Sequence, residues 1–217
     1  MKRVAITQRL ETEPRHGEVR NSLDIRWSSF LSDCNLVPCP LPIGLGLEEY
    51  IKDDVSGIIF TGGGDLSSTI PSGSAEYRLA KLRDKHEKRL MDIAIEKSIP
   101  VIGVCRGMQL IAEYFGSTLK IVDKHVATRH PIEVQKSGEY YEHLCEVKSV
   151  NSYHSFGIDQ LASCLESNAI CPEDDVIEFI AHKEKAIVGI MWHPERETNP
   201  SCFDKSLFLK MFYSRTL

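Results

Sequence analysis

The sequence lacks several features that mark common classes of protein. Its apolar runs fall far short of the ~20 residues that a membrane-spanning helix requires. The apolar part of the opening segment Met1–Arg9 is too short for a secretory h-region. There is no internal repeat, low-complexity tract or Pro/Ser-rich linker. We therefore expect no association with membranes and a cytoplasmic location.

Paired cysteines and an excess of positive charge are also missing from the sequence. The seven cysteines form no C-x-x-C pair and their number is odd, so the pattern indicates neither a zinc site nor a full set of disulfide bonds. The 26 Lys and Arg residues are outnumbered by 31 Asp and Glu residues, giving a net charge of −5. This balance argues against nucleic acid as a partner, although a local basic pocket for a phosphorylated ligand remains compatible with it.

The remaining composition is that of an ordinary globular protein. With 217 residues, 42% of them hydrophobic and 26% charged, the chain is long enough to bury a substantial core. No stretch of the sequence marks a boundary between domains. We therefore expect residues 1–217 to form a single catalytic domain.

Short apolar runs alternate with segments of helical periodicity, which predicts an α/β fold with a mainly parallel sheet and helices on both faces. The predicted strands of the first half are Val4–Thr7, Leu36–Pro40, Gly57–Thr61 and Val101–Val104. Helical patterns cover Glu18–Cys34, Glu76–Lys97, Arg106 to about Phe115, and Phe203–Phe212. The second half predicts a small antiparallel extension, with strands at Ile132–Gln135, Cys145–Val150, Val176–His182 and Ile187–Trp192 and a hairpin turn at Lys183–Lys185.

The segment Val101–Leu110 carries the clearest chemical pattern. An apolar strand runs straight into a helix, and Cys105 stands at the junction between Gly103 and Gly107. A turn this tight strains its central residue and requires neighbours without bulk, and we expect it to expose the cysteine to solvent. The helix N-terminus favours a thiolate, and the backbone N–H of Arg106 is the expected first donor of an oxyanion hole. The alternative is a buried cysteine at the end of a strand.

A histidine with a nearby carboxylate follows the apolar segment Gly189–Trp192. A thiolate nucleophile needs a proton shuttle, and histidine is the usual one. His193 and Glu195 lie two residues apart, so in an extended segment they point to the same side and Glu195 can fix the tautomer of the imidazole. Alone, His-Pro-Glu is typical of a surface turn. Downstream of the Cys105 junction it predicts a catalytic triad of Cys105, His193 and Glu195.

Three glycines follow the predicted strand Gly57–Thr61. Such a loop can bring bare backbone N–H groups against a ligand, so Gly63 or Gly64 is the expected second oxyanion donor. A phosphate-binding loop is the competing interpretation, but neither a Gly-Lys-Ser/Thr ending nor a G-x-G-x-x-G spacing is present. The remaining alternative is a flexible surface turn.

These motifs resemble those of the class I glutamine amidotransferase superfamily. Residues 103–109 match its G-x-C-x-G-x-Q pattern, and the order cysteine, histidine, glutamate matches its triad. The resemblance implies a flavodoxin-like α/β fold. The Gly-Gly-Gly-Asp-Leu segment at 62–66 and the Asn-Ser-Tyr-His segment at 151–154 narrow the resemblance to the γ-glutamyl hydrolase branch, peptidase family C26.

The resemblance also implies a set of substrate contacts. In that branch the corresponding residues hold the glutamyl group, so Gln109, Asn151, Ser152 and His154 become substrate-binding candidates. For His154 the alternative is a strand histidine with satisfied hydrogen bonds. Arg83-Asp84 with Glu87 resembles a further stretch of the branch, and the alternative there is a solvated helix face with ordinary ion pairs.

The implied activity is hydrolysis of a small-molecule γ-glutamyl amide through a glutamyl thioester on Cys105, without a metal or an organic cofactor. Residues 6–10 and 192–196 are similar to those of γ-glutamyl-CDP-amidate hydrolases of capsule phosphoramidate biosynthesis, which indicates a nucleotide-linked substrate. Arg9, Arg26 and Arg83 are candidates to meet its diphosphate. The alternatives are a γ-glutamyl-GABA-type hydrolase, a glutaminase subunit that supplies ammonia to a separate synthetase, and a binding protein without turnover.

Overall fold

An eight-stranded sheet organises the chain in a computed structural model that describes residues 1–44, 55–135, 140, 144 and 146–213. In spatial order its strands are β4 (Leu36–Leu41), β1 (Lys2–Thr7), β5 (Val55–Phe60), β6 (Val101–Val104), β14 (Ile187–Ile190), β13 (Ile177–His182), β12 (Leu165–Ile170) and β9 (Glu133–Val134). The first five pair in parallel, and β14, β13, β12 and β9 pair antiparallel to one another. The sheet is therefore mainly parallel with an antiparallel extension at one side, as predicted.

Three two-stranded ladders lie outside this sheet. They pair β2 (Arg9–Thr12) with β3 (Val19–Ser22), β7 (Thr118–Ile121) with β11 (Phe156–Gln160), and β8 (Val126–Pro131) with β10 (Ser149–Tyr153). All three are antiparallel. The last ladder carries several of the residues discussed below.

Helices cover both faces of the sheet. They include α1 (Arg26–Asp33), α2 (Ala75–Glu96), α3 (Arg106–Tyr114) and α4 (Cys202–Tyr213). Alternate strand residues face opposite sides. Accordingly Val4 packs in one apolar cluster with α1 and α4, whereas the adjacent Ala5 packs in another with α2 and α3. Each face of the sheet thus has its own buried core.

The four predicted strands of the first half lie within two residues of the observed ones, and the hairpin between β13 and β14 is confirmed. The predicted helix Glu18–Cys34 is wrong in its first part, because residues 19–22 form β3 and the helix begins at Arg26. Val19, which contributed to the apparent helical spacing, is half exposed. The predicted strand Cys145–Val150 begins outside the described residues, and the observed strand is Ser149–Tyr153. None of the helices described is long and apolar enough to cross a membrane.

Candidate active site

Cys105 occupies a strained turn between β6 and α3. It is the residue preceding α3, and its φ of 53° and ψ of −108° are unusual for a residue with a side chain. Such a conformation costs about 1–3 kcal/mol and persists only where the surroundings enforce it. Two backbone hydrogen bonds do so here: the Cys105 N–H donates to the carbonyl of Ile190 at 2.8 Å, and the Gln109 N–H donates to the carbonyl of Cys105 at 3.1 Å.

The glycines on either side allow the chain to pass itself closely. A Cβ on Gly107 would lie 2.2 Å from the carbonyl oxygen of Phe60, and a Cβ on Gly103 would lie 2.5 Å from the backbone of Gly107. Both neighbours are backbone atoms that cannot turn aside. The predicted need for residues without bulk at this turn is therefore confirmed.

Cys105 is less exposed to solvent than predicted. Only 6% of the surface of Cys105 is accessible. A Cβ on Gly62 would lie 3.3 Å from the Cβ of Cys105 and 2.6 Å from Cε1 of His193, so the backbone of the glycine loop packs against both residues. The prediction of an exposed cysteine is wrong because this loop covers the turn. Cys105 and His193 therefore both lie against Gly62.

His193 is held from two sides. Its Nδ1 lies 2.7 Å from Oε1 of Glu195, and both side chains are buried. Its backbone N–H donates to Oδ1 of Asn151 at 2.9 Å, while Nδ2 of Asn151 donates to the His193 carbonyl at 2.8 Å. Glu195 lies in a single 3₁₀ turn, Pro194–Arg196, rather than in the extended segment on which the sequence argument relied. With Nδ1 engaged, Nε2 is the nitrogen left to exchange protons with a neighbour.

The charges around His193 favour its protonated form. Burial alone would lower the pKa of the imidazole, but a thiolate at Cys105 and the hydrogen-bonded carboxylate of Glu195 outweigh it and raise that pKa to about 9. At neutral pH this environment favours the charged imidazolium form of His193. A histidine in that form can act as an acid.

A buried ion network that sequence reasoning did not resolve supports the glycine loop and the turn. Arg83, Asp84 and Glu87 of α2 are all buried, and Arg106 pairs with both carboxylates. Arg83 donates to Oε1 of Glu87 at 2.9 Å and to the carbonyls of Thr61 and residue 63, each at 2.7 Å. Burial would raise the pKa of Glu87, but the two arginines lower it below its usual range. The alternative of a solvated helix face for this stretch is therefore wrong.

The predicted oxyanion donors, Gly63, Gly64 and Arg106, lie in the glycine loop and at the Cys105 turn, and they line one pocket. Gly63 and Gly64 have φ values of +88° and +71°, which glycine adopts without the cost that a side chain would impose. Arg106 opens α3, so its backbone N–H is among those left without a partner in the helix. Its guanidinium is occupied by the ion network. The donor roles of these three backbone groups stay predictions.

The four predicted substrate-binding side chains are engaged within the protein. Gln109 donates to the carbonyl of Phe156 at 2.8 Å, and Asn151 holds the backbone of His193. Ser152 is fully buried and donates to the carbonyl of His125 at 2.7 Å. The Nδ1 of His154 lies 3.0 Å from the carbonyl oxygen of residue 156. Contact of these four with a glutamyl group stays a prediction, and none of them lines the two pockets described next.

An open pocket of about 430 Å³ lies beside the glycine loop, and a small cleft lies over the His193–Glu195 pair. Arg9 lines both, and its Nε is buried without a hydrogen-bond partner in the described part of the chain. Arg26 instead pairs with Asp24, and Arg83 is committed to the ion network. Among the three arginines considered for a diphosphate, Arg9 is thus the one placed between these two spaces.

A mainly parallel sheet with a cysteine at a tight strand-to-helix turn defines a class I glutamine amidotransferase-like fold. A putative GMP synthase subunit from Thermoplasma acidophilum superposes with a TM-score of 0.72 at 16% identity, covering 98% of this chain and 93% of that one. A glutamine amidotransferase from Thermotoga maritima superposes with a TM-score of 0.65 at 17% identity, covering 89% and 76%.

The family to which the chain belongs is shown by comparison of its sequence with known proteins. The model of the Peptidase C26 family matches residues 4–195, and the chain belongs to that family. It is 35% identical over 196 residues to a gamma-glutamyl-CDP-amidate hydrolase of Campylobacter jejuni subsp. jejuni, covering 89% of this chain and 90% of that protein. It is also 32% identical over 170 residues to a putative glutamine amidotransferase-like protein of Lactococcus lactis, covering 71% and 72%.

Proposed function

We propose that this protein hydrolyses a γ-glutamyl amide bond, with Cys105 as nucleophile, His193 as proton shuttle and Glu195 as the group that orients the histidine. The observation that carries the proposal is that Cys105 and His193 both pack against Gly62, while Glu195 is hydrogen-bonded to Nδ1 of the imidazole. Membership in the Peptidase C26 family and the likeness to a gamma-glutamyl-CDP-amidate hydrolase support a hydrolase of this kind.

The first half of the proposed reaction transfers the glutamyl group to the enzyme. The Cys105 thiolate attacks the γ-carbonyl carbon, and a carbon–sulfur bond forms while the carbonyl oxygen gains negative charge. The backbone N–H groups of Arg106 and of Gly63 or Gly64 hold that oxyanion. The carbon–nitrogen bond then breaks as His193 gives its proton to the leaving nitrogen, which leaves a glutamyl thioester.

The second half uses the change of charge that the first half produces. Once Cys105 is acylated its negative charge is gone, and with it a major influence that raises the pKa of His193. Burial then favours the neutral imidazole, which takes a proton from water as the water attacks the thioester. Glutamate leaves and the thiolate is restored. One histidine can thus act first as acid and then as base without any other titrating group.

For the leaving group, we propose a nucleotide diphosphate amide. The relative from Campylobacter jejuni supports this choice, as does the position of Arg9 beside the glycine loop. Arg9 pairs with Glu11 at 2.6 Å, but both side chains are more than a third exposed, so this pair is held weakly. A phosphate could replace Glu11 as the partner of the guanidinium at little cost. A role in capsule biosynthesis is part of the same proposal.

The alternative activity is a glutaminase subunit that supplies ammonia to a separate synthetase. It is favoured by relatives such as a glutamine-hydrolysing GMP synthase subunit of Methanococcus maripaludis, which is 28% identical over 159 residues and covers 71% of this chain. Such a subunit should hydrolyse glutamine and turn over faster when its synthetase is added. The γ-glutamyl-GABA-type hydrolase differs from the proposal only in the leaving amine.

The test is a panel of γ-glutamyl amides scored for glutamate release. We expect the γ-glutamyl-CDP-amidate to be hydrolysed with the highest kcat/KM, ahead of γ-glutamyl-GABA and glutamine. Cys105→Ala should lose at least ~10³-fold in kcat. The matched control is Cys202→Ala, which removes an exposed cysteine at the start of α4. Glutamate release by Cys105→Ala at the wild-type rate would end the mechanistic proposal, and a clear preference for another amide would replace the proposed substrate.

A further inference from the structure

Three histidines surround one glutamate in the interior, apart from the cysteine turn. His125 immediately precedes β8, His130 lies on β8, His154 follows β10, and Glu178 lies on β13. All four are buried: 2%, 6% and 4% of the histidine surfaces and none of Glu178 are accessible. The cluster therefore joins three strands that belong to two different sheets.

The cluster has a regular geometry. Oε1 of Glu178 lies 3.5 Å from Nδ1 of His125, 3.5 Å from Nε2 of His130 and 3.5 Å from Nε2 of His154. These separations are too long for good hydrogen bonds, which join nitrogen and oxygen at about 2.7–3.2 Å. Both carboxylate oxygens of Glu178 lack a hydrogen-bond partner in the described part of the chain, as do Nε2 of His130 and Nε2 of His154.

The other nitrogen of each imidazole is occupied. Nδ1 of His130 lies 2.9 Å from the carbonyl oxygen of Pro131, and Nδ1 of His154 lies 3.0 Å from that of Phe156. Nε2 of His125 lies 2.9 Å from the carboxylate of Asp174. An oxygen acceptor requires the proton on the nitrogen that faces it. In each neutral ring the nitrogen that faces Glu178 therefore presents a lone pair. For His125 that nitrogen, Nδ1, also lies 3.3 Å from Oγ of Ser152.

Four lone-pair donors thus converge in a space closed to solvent. A buried carboxylate without donors is costly, and three imidazole lone pairs aimed at it add repulsion. A cation at the centre would satisfy all four at once.

We propose that His125, His130, His154 and Glu178 bind a divalent transition metal, with Zn²⁺ as the best fit. In a tetrahedral site with bonds of about 2.0–2.1 Å, neighbouring ligand atoms lie about 3.3 Å apart. The three distances of 3.5 Å around Glu178 match this spacing with a small inward movement, and all four ligand atoms lie within 4.8 Å of one another. Imidazole and carboxylate are donors that zinc accepts.

The hydrogen bonds behind the histidines have the form that such sites require. A metal-bound imidazole almost always donates its other N–H to a carboxylate or a carbonyl, which fixes the ring and its tautomer. Asp174 does this for His125, and the two backbone carbonyls do it for His130 and His154. A second, overlapping group of His125, Cys171 and Asp174 could also hold a metal. It would use the His125 nitrogen already bonded to Asp174, and Asp174 is partly exposed, so we assign the metal to the four-residue cluster.

Four protein ligands fill a tetrahedral zinc site and leave no position for substrate, which is the arrangement of structural sites. The metal would tie β8, β10 and β13 together. This proposal departs from the sequence-based expectation that no metal is needed, because the four ligands are spread over 54 positions of the chain, from 125 to 178, without a recognisable spacing.

The test uses the full-length protein stripped with a chelator and titrated with Co²⁺ or Zn²⁺ alone. We expect one Co²⁺ per chain and the strong visible absorption of four-coordinate cobalt, and we expect stoichiometric Zn²⁺ to raise Tm. Glu178→Gln should abolish metal binding yet keep or raise the Tm of the metal-free protein, because its amide can donate to an imidazole lone pair. His130→Gln should also lose the metal.

Two matched controls should bind metal like the wild type. His16→Gln removes an exposed histidine, and Cys171→Ser alters the overlapping group but not the proposed ligands. A stripped wild-type protein that takes up neither Co²⁺ nor Zn²⁺ would overturn the proposal. So would metal binding that survives both Glu178→Gln and His130→Gln. Loss of the metal from Cys171→Ser alone would assign the metal to the overlapping group instead.

Discussion

Replacing Gly62 by alanine should disable the proposed active site without unfolding the protein. The new Cβ would lie 2.6 Å from Cε1 of His193, while ordinary contacts begin near 3.4 Å, so the imidazole must move by about 0.8 Å. A misplacement of about 1 Å can cost ~10²-fold in rate, which is roughly 2.7 kcal/mol of barrier. Gly62 has no positive φ, so the backbone itself accepts alanine. We therefore expect a fall of kcat near 10²-fold, with a loss of stability no larger than the about 1–3 kcal/mol that overpacking of a core costs.

The matched control lies on the same segment of chain. A Cβ on Gly57 would lie 2.1 Å from the ring of Phe212 at the opposite end of β5, so Gly57→Ala crowds the core and not the site. We expect it to lower the free energy of unfolding by about 1–3 kcal/mol and to leave kcat unchanged. Steady-state glutamate release and thermal unfolding of both variants are the assays. If Gly62→Ala kept the wild-type kcat, the close packing of the loop against His193 would have no part in catalysis.

Three further substitutions test the same site. Cys105→Ala removes the thiolate charge, so the pKa of His193, measured by NMR titration, should fall from about 9 toward or below its ordinary 6.5. In the wild type the raised pKa stabilises the folded state fully below pH 6.5, and this stabilisation is lost as pH rises through about 9. In Cys105→Ala that stabilisation should shrink. Glu195→Gln should keep the fold but lower both kcat and that pKa, and an unchanged pKa would contradict the assigned contact. Gly107→Ala should cost at least about 1–3 kcal/mol of stability in urea unfolding, because its Cβ would meet the backbone of Phe60.

The parts of the fold that sequence predicted well are those in which local pattern and tertiary environment agree. The residues of β6 are apolar on both sides because both faces of the strand are buried, so a continuous apolar run marks the strand correctly. The hairpin of β2 and β3 gives no such signal. Its residues are mostly exposed and polar, and Val19 is half exposed. The spacing of apolar residues in this segment therefore does not indicate which side chains enter the core. Strands that pair at the surface are set by their partners rather than by their own pattern.

In the candidate active site, too, the features that depend on local sequence were predicted and those that depend on tertiary packing were not. Cys105 and the glycines that flank it are consequences of one local turn, so seven consecutive residues were enough to predict it. The covering of Cys105 by Gly62 depends on how two loops pack, and sequence could not foresee it. The role of Asn151 was also beyond reach, because its contact with the backbone of His193 joins residues 42 positions apart.

Strand β10 links the proposed active site to the proposed metal site. Asn151 faces the His193 backbone and holds it by two hydrogen bonds, while the next residue, Ser152, faces the opposite way and donates to the carbonyl of His125. His154 then supplies a proposed metal ligand from the end of the same strand. Neighbouring residues of a strand point to opposite faces, so a single strand can serve both sites at once. A metal that fixes β10 against β8 and β13 therefore also fixes the residue that positions His193, and its removal should weaken catalysis by loosening Asn151 without touching Cys105.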